Sequence, residues 1–188
     1  MLRTFSAADE WPAGLDDAVT FAVGWHADQK RPAGEPYVEH LKEAMAFLAY
    51  GAGETHPSLL RAAVLHDVVE DTDCTLAEVR DNFGDEVATL VDWVTKGDDR
   101  AAYLSRLRTA PREALLVKLA DRASNVQRLD THPRPEKQRT YYAETVRSIV
   151  PLSSAHPWFA DWYALWQREF AHLGRVSFAS PNVDGSRI

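Results

Sequence analysis

The sequence predicts an all-α fold, a bundle of about eight to ten helices, on three observations. Apolar residues recur at spacings of three and four. Prolines, glycines and Ser/Thr residues stand where helices start and stop. No run sustains the apolar–polar alternation of a strand. The 188 residues suit one domain with a sizeable core. Six Trp, six Tyr and seven Phe are available to fill it.

The elements follow in order. Leu15 to Lys30 reads as the first helix, with Leu15, Val19, Ala22, Val23 and His26 on one face. Arg31-Pro32-Ala33-Gly34-Glu35-Pro36 is a turn, because two prolines and a glycine cannot continue a helix. Tyr37 to Ala49 restarts it on the stripe Val38, Leu41, Met45, Leu48, and Gly51-Ala52-Gly53 ends it. Pro57 opens a third helix through Leu65 and His66. Thr75-Leu76-Ala77-Glu78 is a capping box, so a new helix starts there. Gly84 breaks that helix, and Asp85 to Thr95 follows. After a charged loop at Lys96 to Arg100, Ala101 to Arg108 is helical, and Pro111 opens a longer helix through Leu129. Glu136 to Leu152 is helical. Pro157 opens the last helix, whose Trp162, Leu165, Trp166 and Phe170 must pack against the body; it is read as core or as a subunit contact, which keeps a homo-oligomer open.

Composition excludes several classes. A net charge of −7 and a pI near 5.5 argue against broad nucleic-acid binding, although a local Lys/Arg cluster can still hold a phosphorylated ligand. No apolar run is long enough to span a membrane. Met1 to Pro12 lacks the apolar centre of a secretory signal, and Cys74 has no second cysteine to pair with. A cytoplasmic protein is expected.

Chemistry concentrates in Leu65-His66-Asp67-Val68-Val69-Glu70-Asp71-Thr72. On one helix, His66 and Glu70 would share a face, with Asp67 and Asp71 beside them. Carboxylates this close repel one another and lose hydration, and a cation removes much of that cost. On this stretch alone, a solvated acidic helix end fits equally well. Asp121 follows the apolar run Leu115 to Ala120 and needs a partner, which the adjacent Arg122 could be; Asn125 shares its face. His40 sits beside the apolar stripe of the second helix, where a packed histidine is the more common finding.

Together these segments resemble the HD-domain metal phosphohydrolases, whose ligand order is an isolated His, a His-Asp doublet and a distant Asp on an all-α scaffold. Gly34-Glu35-Pro36-Tyr37-Val38-Glu39-His40 looks like the first ligand motif. The doublet followed by Glu70-Asp71 looks like one branch, the hydrolase domain of the RelA/SpoT alarmone enzymes and the small alarmone hydrolases of the Mesh1 type. Phe83-Gly84 through Lys96 matches a following segment, and Val117-Lys118-Leu119-Ala120-Asp121-Arg122 with Asn125 the last motif.

The resemblance covers roughly residues 15 to 150. It implies one HD-type domain over 1–174, with a frayed tail over 175–188. It implies that His40, His66, Asp67 and Asp121 bind one divalent metal, usually Mn²⁺ in the family, and that Glu70 and Asp71 act on the attacking water. The implied reaction removes the 3′-pyrophosphate of (p)ppGpp, giving GDP or GTP and pyrophosphate. Asn125 and Arg31 are implied to contact the nucleotide. Lys30 is placed beside them, because Pro32 stands where the family often has a lysine. Tyr142, with Arg139 nearby, falls near a family tyrosine that meets the nucleotide. Leu41 replaces a common family proline. Adenosine alarmones, the 2′-phosphate of NADPH and a non-catalytic nucleotide sensor are the alternatives.

Overall fold

A computed structural model describes residues 1–6 and 12–175; the expected tail falls outside these from residue 176 on. The fold is all-α. The helices are α1 (Asp16–His26), α2 (Val38–Ala46), α3 (Pro57–Leu65), α4 (Val68–Asp71), α5 (Leu76–Val94), α6 (Arg100–Leu107), α7 (Arg112–Val126), α8 (Pro135–Glu144) and α9 (Pro157–Glu169). Among the described residues, none of these helices is long and apolar enough to cross a membrane.

Everything is arranged around α7. Its residues from Leu116 to Ser124 are buried without a break, apolar and charged alike. A helix buried all round belongs to the centre of a bundle. It packs against α2, α3 and α5. Helix α9 holds it from another side through its aromatic residues. Tyr163 donates from its hydroxyl to the Leu119 carbonyl at 2.8 Å, and Trp166 from its indole N–H to the Val126 carbonyl at 2.9 Å. Both side chains are fully buried, so these bonds satisfy polar atoms that burial would otherwise penalise. The Trp-rich helix is therefore core.

Local signals explain most boundaries. Thr75 and Glu78 form the reciprocal capping box. Gly84 takes φ +86°, ψ 170° inside α5 and kinks it, a backbone state that favours glycine. Gly53, at φ +74°, terminates the π-helical extension Phe47–Ala52 of α2. Leu2 and Phe5 are also buried, and the Phe5 ring meets Phe47 edge-on at 4.8 Å. Nothing in the periodicity of the first residues had marked them as core.

One expected element is different. The His66–Asp71 stretch is not one helix. Helix α3 ends at Leu65, Asp67 takes φ −103° and ψ −4°, and α4 is a single further turn. The His66 ring donates from Nδ1 to the Ala63 carbonyl at 2.8 Å. That carbonyl is the one an Asp67 amide would use in a continued helix. The break turns the doublet inward while Glu70 and Asp71 stay near the surface.

Candidate active site

Three segments bring four residues together. Helix α2 supplies His40, the α3–α4 junction supplies His66 and Asp67, and α7 supplies Asp121; all four are buried. His40 Nε2 lies 3.1 Å from His66 Nε2, 3.3 Å from Asp67 Oδ2 and 3.4 Å from Asp121 Oδ1. His66 Nε2 lies 2.9 Å from Asp67 Oδ2 and 3.7 Å from Asp121 Oδ1.

The chemistry of this set fits a divalent cation. A carbonyl can only accept, so His66 carries its proton on Nδ1 and presents a lone pair at Nε2. Two imidazole nitrogens and two carboxylate oxygens face one another, and without a cation only a proton held among them can offset their mutual repulsion. Burial works against protonation of His66, yet the charge of Asp67, with the hydrogen bonds and charge of Asp121, outweighs it and pushes its pKa up to about 10. Burial likewise opposes ionisation of Asp67, and His66 beside it holds the carboxyl well below the usual range. A group of acceptors that retains a proton so strongly suits a metal ion, with nitrogen and oxygen donors that many divalent metals accept.

Each carboxylate is also held from behind. Lys118 donates from Nζ to Asp121 Oδ2 at 2.6 Å, and Asn125 donates from Nδ2 to Asp121 Oδ1 at 2.7 Å. Lys118 is itself 2% exposed, so this is a buried ion pair between i and i+3 of α7. Arg122, the partner the sequence suggested for Asp121, turns instead to Glu144 at 2.6 Å. Tyr37 donates its single hydroxyl proton between Asp67 Oδ2 at 2.5 Å and Asp71 Oδ2 at 2.9 Å. Burial, then the charges of Asp67 and Asp71, push the phenol far above its ordinary pKa, so it remains a donor. Glu70 accepts from the Lys96 side chain at 2.5 Å and from the Lys96 amide at 3.0 Å.

The cluster opens into a cleft of about 570 Å³, within the range of small-molecule sites. Asp67, Glu70, Asp71, Asp121 and Asn125 line it, and so do Arg31, Lys96, Arg100, Arg128 and Lys137. Most of these cations are already paired. Arg31 and Arg128 bind Glu43, Lys96 binds Glu70, and Arg100 binds Glu144. Lys137, exposed on α8, has no ion pair with another described residue.

Two expected substrate contacts are not brought to the cleft. Lys30 is exposed, its backbone is bridged to Pro36, and it does not line the cavity; Arg31, the next residue, does. Tyr142 packs on Trp166 at a ring distance of 5.3 Å and donates to the Gln167 carbonyl at 3.4 Å. Its neighbour Tyr141 lines the cleft, with Arg122 5.6 Å from its ring centre. Successive residues of a helix point about 100° apart, so one step of register exchanges a tyrosine packed on Trp166 for one that lines the cleft.

Sequence reasoning missed Tyr37, Glu43, Ser124, Lys96, Lys137 and Tyr141. A usable signal existed for two. Tyr37 and Glu43 stand three residues before and after His40, on its own helix face.

The HD domain family matches residues 18–156 of the chain. A probable guanosine-3′,5′-bis(diphosphate) 3′-pyrophosphohydrolase of Synechocystis sp. is 35% identical over 164 residues, which are 81% of this chain and 21% of that protein. The human guanosine-3′,5′-bis(diphosphate) 3′-pyrophosphohydrolase MESH1 is 42% identical over 127 residues, 63% of this chain and 70% of MESH1. The solved structure of a metazoan ortholog of SpoT that hydrolyzes ppGpp superposes with a TM-score of 0.77 at 27% identity, covering 86% of this chain and 98% of that one. The chain spans about a fifth of the length of the bacterial relatives it matches.

Proposed function

The chain belongs to the HD domain family, in the branch that holds MESH1, and from that premise we propose that it hydrolyses the 3′-pyrophosphate of (p)ppGpp. Water attacks the 3′-linked phosphorus and the bond to the ribose 3′-oxygen breaks. The products are GDP or GTP, with a free 3′-hydroxyl, and pyrophosphate. The observation that carries this reading is the placement of a buried acceptor cluster at the floor of a cleft rich in Lys and Arg. The names of the relatives supply the substrate.

His40, His66, Asp67 and Asp121 would hold the ion, for which we propose Mn²⁺. When bound, it polarises a phosphoryl oxygen and acidifies water. The remaining work falls to this chain's own residues. Glu70 borders the cleft next to the cluster, and its carboxylate takes the proton of the attacking water. Lys96 occupies that carboxylate, so a phosphate that draws Lys96 away frees Glu70 as a base. Asp71 keeps Tyr37 in place and with it Asp67. Asn125 orients Asp121. Lys137 and Arg31 supply positive charge for the nucleotide's other phosphates, and Tyr141 offers a ring face to it. We infer that residues 1–174 act as one catalytic domain, a reading supported by one apolar core that runs from Leu2 to Phe170.

The test is a substrate panel with purified protein and Mn²⁺, containing ppGpp, pppGpp, an adenosine alarmone and NADPH. Release of pyrophosphate from the guanosine compounds, abolished by a chelator and restored by Mn²⁺, is expected. Turnover of NADPH alone would overturn the substrate. Tight binding with no turnover of any member would overturn the enzyme in favour of a sensor.

A further inference from the structure

His40 and His66 have their rings fixed by different means. His66 uses the carbonyl of its own helix. His40 Nδ1 lies 2.8 Å from the hydroxyl of Ser124, 84 residues away on α7. That hydroxyl donates to Glu43 Oε2 at 2.6 Å. Glu43 returns the chain to α2, three residues beyond His40.

The order of protons follows from the partners. Glu43 is 1% exposed, and Arg31 pairs with its Oε2 at 2.8 Å while Arg128 pairs with Oε1. A buried carboxylate held by two guanidiniums is ionised and can only accept. The one proton of Ser124 therefore goes to Glu43. The serine oxygen must then accept from His40, which places the imidazole proton on Nδ1 and the lone pair on Nε2. Nε2 is the atom that faces His66, Asp67 and Asp121. The same carboxylate holds Arg31 and Arg128, both of which line the cleft. Arg31 also donates to the Ser124 carbonyl at 3.4 Å, tying the ends of the relay together.

We propose that Glu43 and Ser124 are positioning residues for the metal centre: they fix the tautomer and orientation of His40, and through Glu43 they couple that ligand to the cationic wall of the cleft. The proposal rests on the reading of His40 as a ligand. Partners of this kind behind a ligating histidine typically change metal affinity by about 10–100-fold when removed. A purely structural Glu43, present only to neutralise two arginines, would leave metal affinity indifferent to Ser124.

Calorimetric titration of Mn²⁺ into the chelator-treated full chain separates these accounts. Ser124→Ala cuts the link to His40 and leaves both Arg–Glu43 pairs in place. It is expected to weaken Mn²⁺ binding by about 10–100-fold, with a smaller fall in melting temperature than Glu43→Gln gives. Ser124→Thr keeps the hydroxyl and should recover most of the affinity. Glu43→Gln should weaken Mn²⁺ binding and also lower the melting temperature, because two arginines lose their charge partner. Parent and Ser124→Ala chains with equal Mn²⁺ affinity would overturn the relay while leaving the metal centre standing. A parent chain that takes up no Mn²⁺ would overturn both.

Discussion

His40, His66, Asp67 and Asp121 are each no more than 7% exposed, whereas no residue of α8, which supplies Lys137 and Tyr141 to the same cleft, is buried. The buried side of the cleft has little freedom. Asp121 accepts from Lys118 and Asn125, His66 donates to Ala63, and His40 bonds to Ser124. Groups of this kind are costly to bury unless every atom is answered, so one change spreads to its neighbours. The α8 side stands in water, where Lys137 has only solvent to displace. The two sides should therefore respond differently to mutation. The buried side should lose fold and chemistry together, and the exposed side should lose affinity alone.

The sharpest test of that contrast is Asp121→Ala. It removes one acceptor from the cluster and strands Lys118, whose side chain is 2% exposed. Breaking a buried pair from one end costs about 3–5 kcal/mol. Denaturant melts should show that loss, and Mn²⁺ titration should show no uptake. An unchanged melt would mean that Lys118 reaches another partner and that the buried side is less constrained than its hydrogen bonds imply. Glu70→Gln is the next largest effect. Glu70 lies at the border between the two regimes, with its side chain 18% exposed. The variant should bind Mn²⁺ like the parent and lose about 10²–10⁴-fold in kcat, the range for a general base. Parent-like turnover would remove Glu70 from the mechanism.

The same contrast explains what could be read from the sequence. The buried residues left a pattern there. Asp121 follows a mostly apolar run, and His66-Asp67 interrupts another; charges in such places need a reason. The capping box at Thr75 and the break at Gly84 were equally visible, because each depends on residues a few positions apart. The α3–α4 break was not visible, since it rests on where the His66 ring sends its proton. Nor was the buried role of Lys118, because a lysine in that run reads equally well as a surface residue. On α8 the side a tyrosine takes rests on contacts distant in sequence: Tyr142 meets Trp166 and Gln167, and Tyr141 is left to line the cleft.

On the exposed side, Lys137→Ala should raise KM for ppGpp roughly tenfold, the scale of one charge-assisted hydrogen bond, with kcat and the melt near those of the parent. A fall in kcat at unchanged KM would instead place Lys137 at the transition state. The smallest effect is expected at Tyr142, one step of register from the cleft. Its ring lies on Trp166, and a side chain added at Gly174 would meet it at 2.8 Å, so it fills space between α8 and the residues after α9. Tyr142→Phe keeps that ring and removes only the long hydrogen bond of 3.4 Å to Gln167. Kinetics should therefore stay within error of the parent. Tyr141→Phe should also keep its ring over Arg122, whereas Tyr141→Ala removes a wall of the cleft and should raise KM. If Tyr142→Phe raised KM and Tyr141→Ala did not, α8 would be turned by about one residue from the arrangement described, and Lys137 would turn out of the cleft with it.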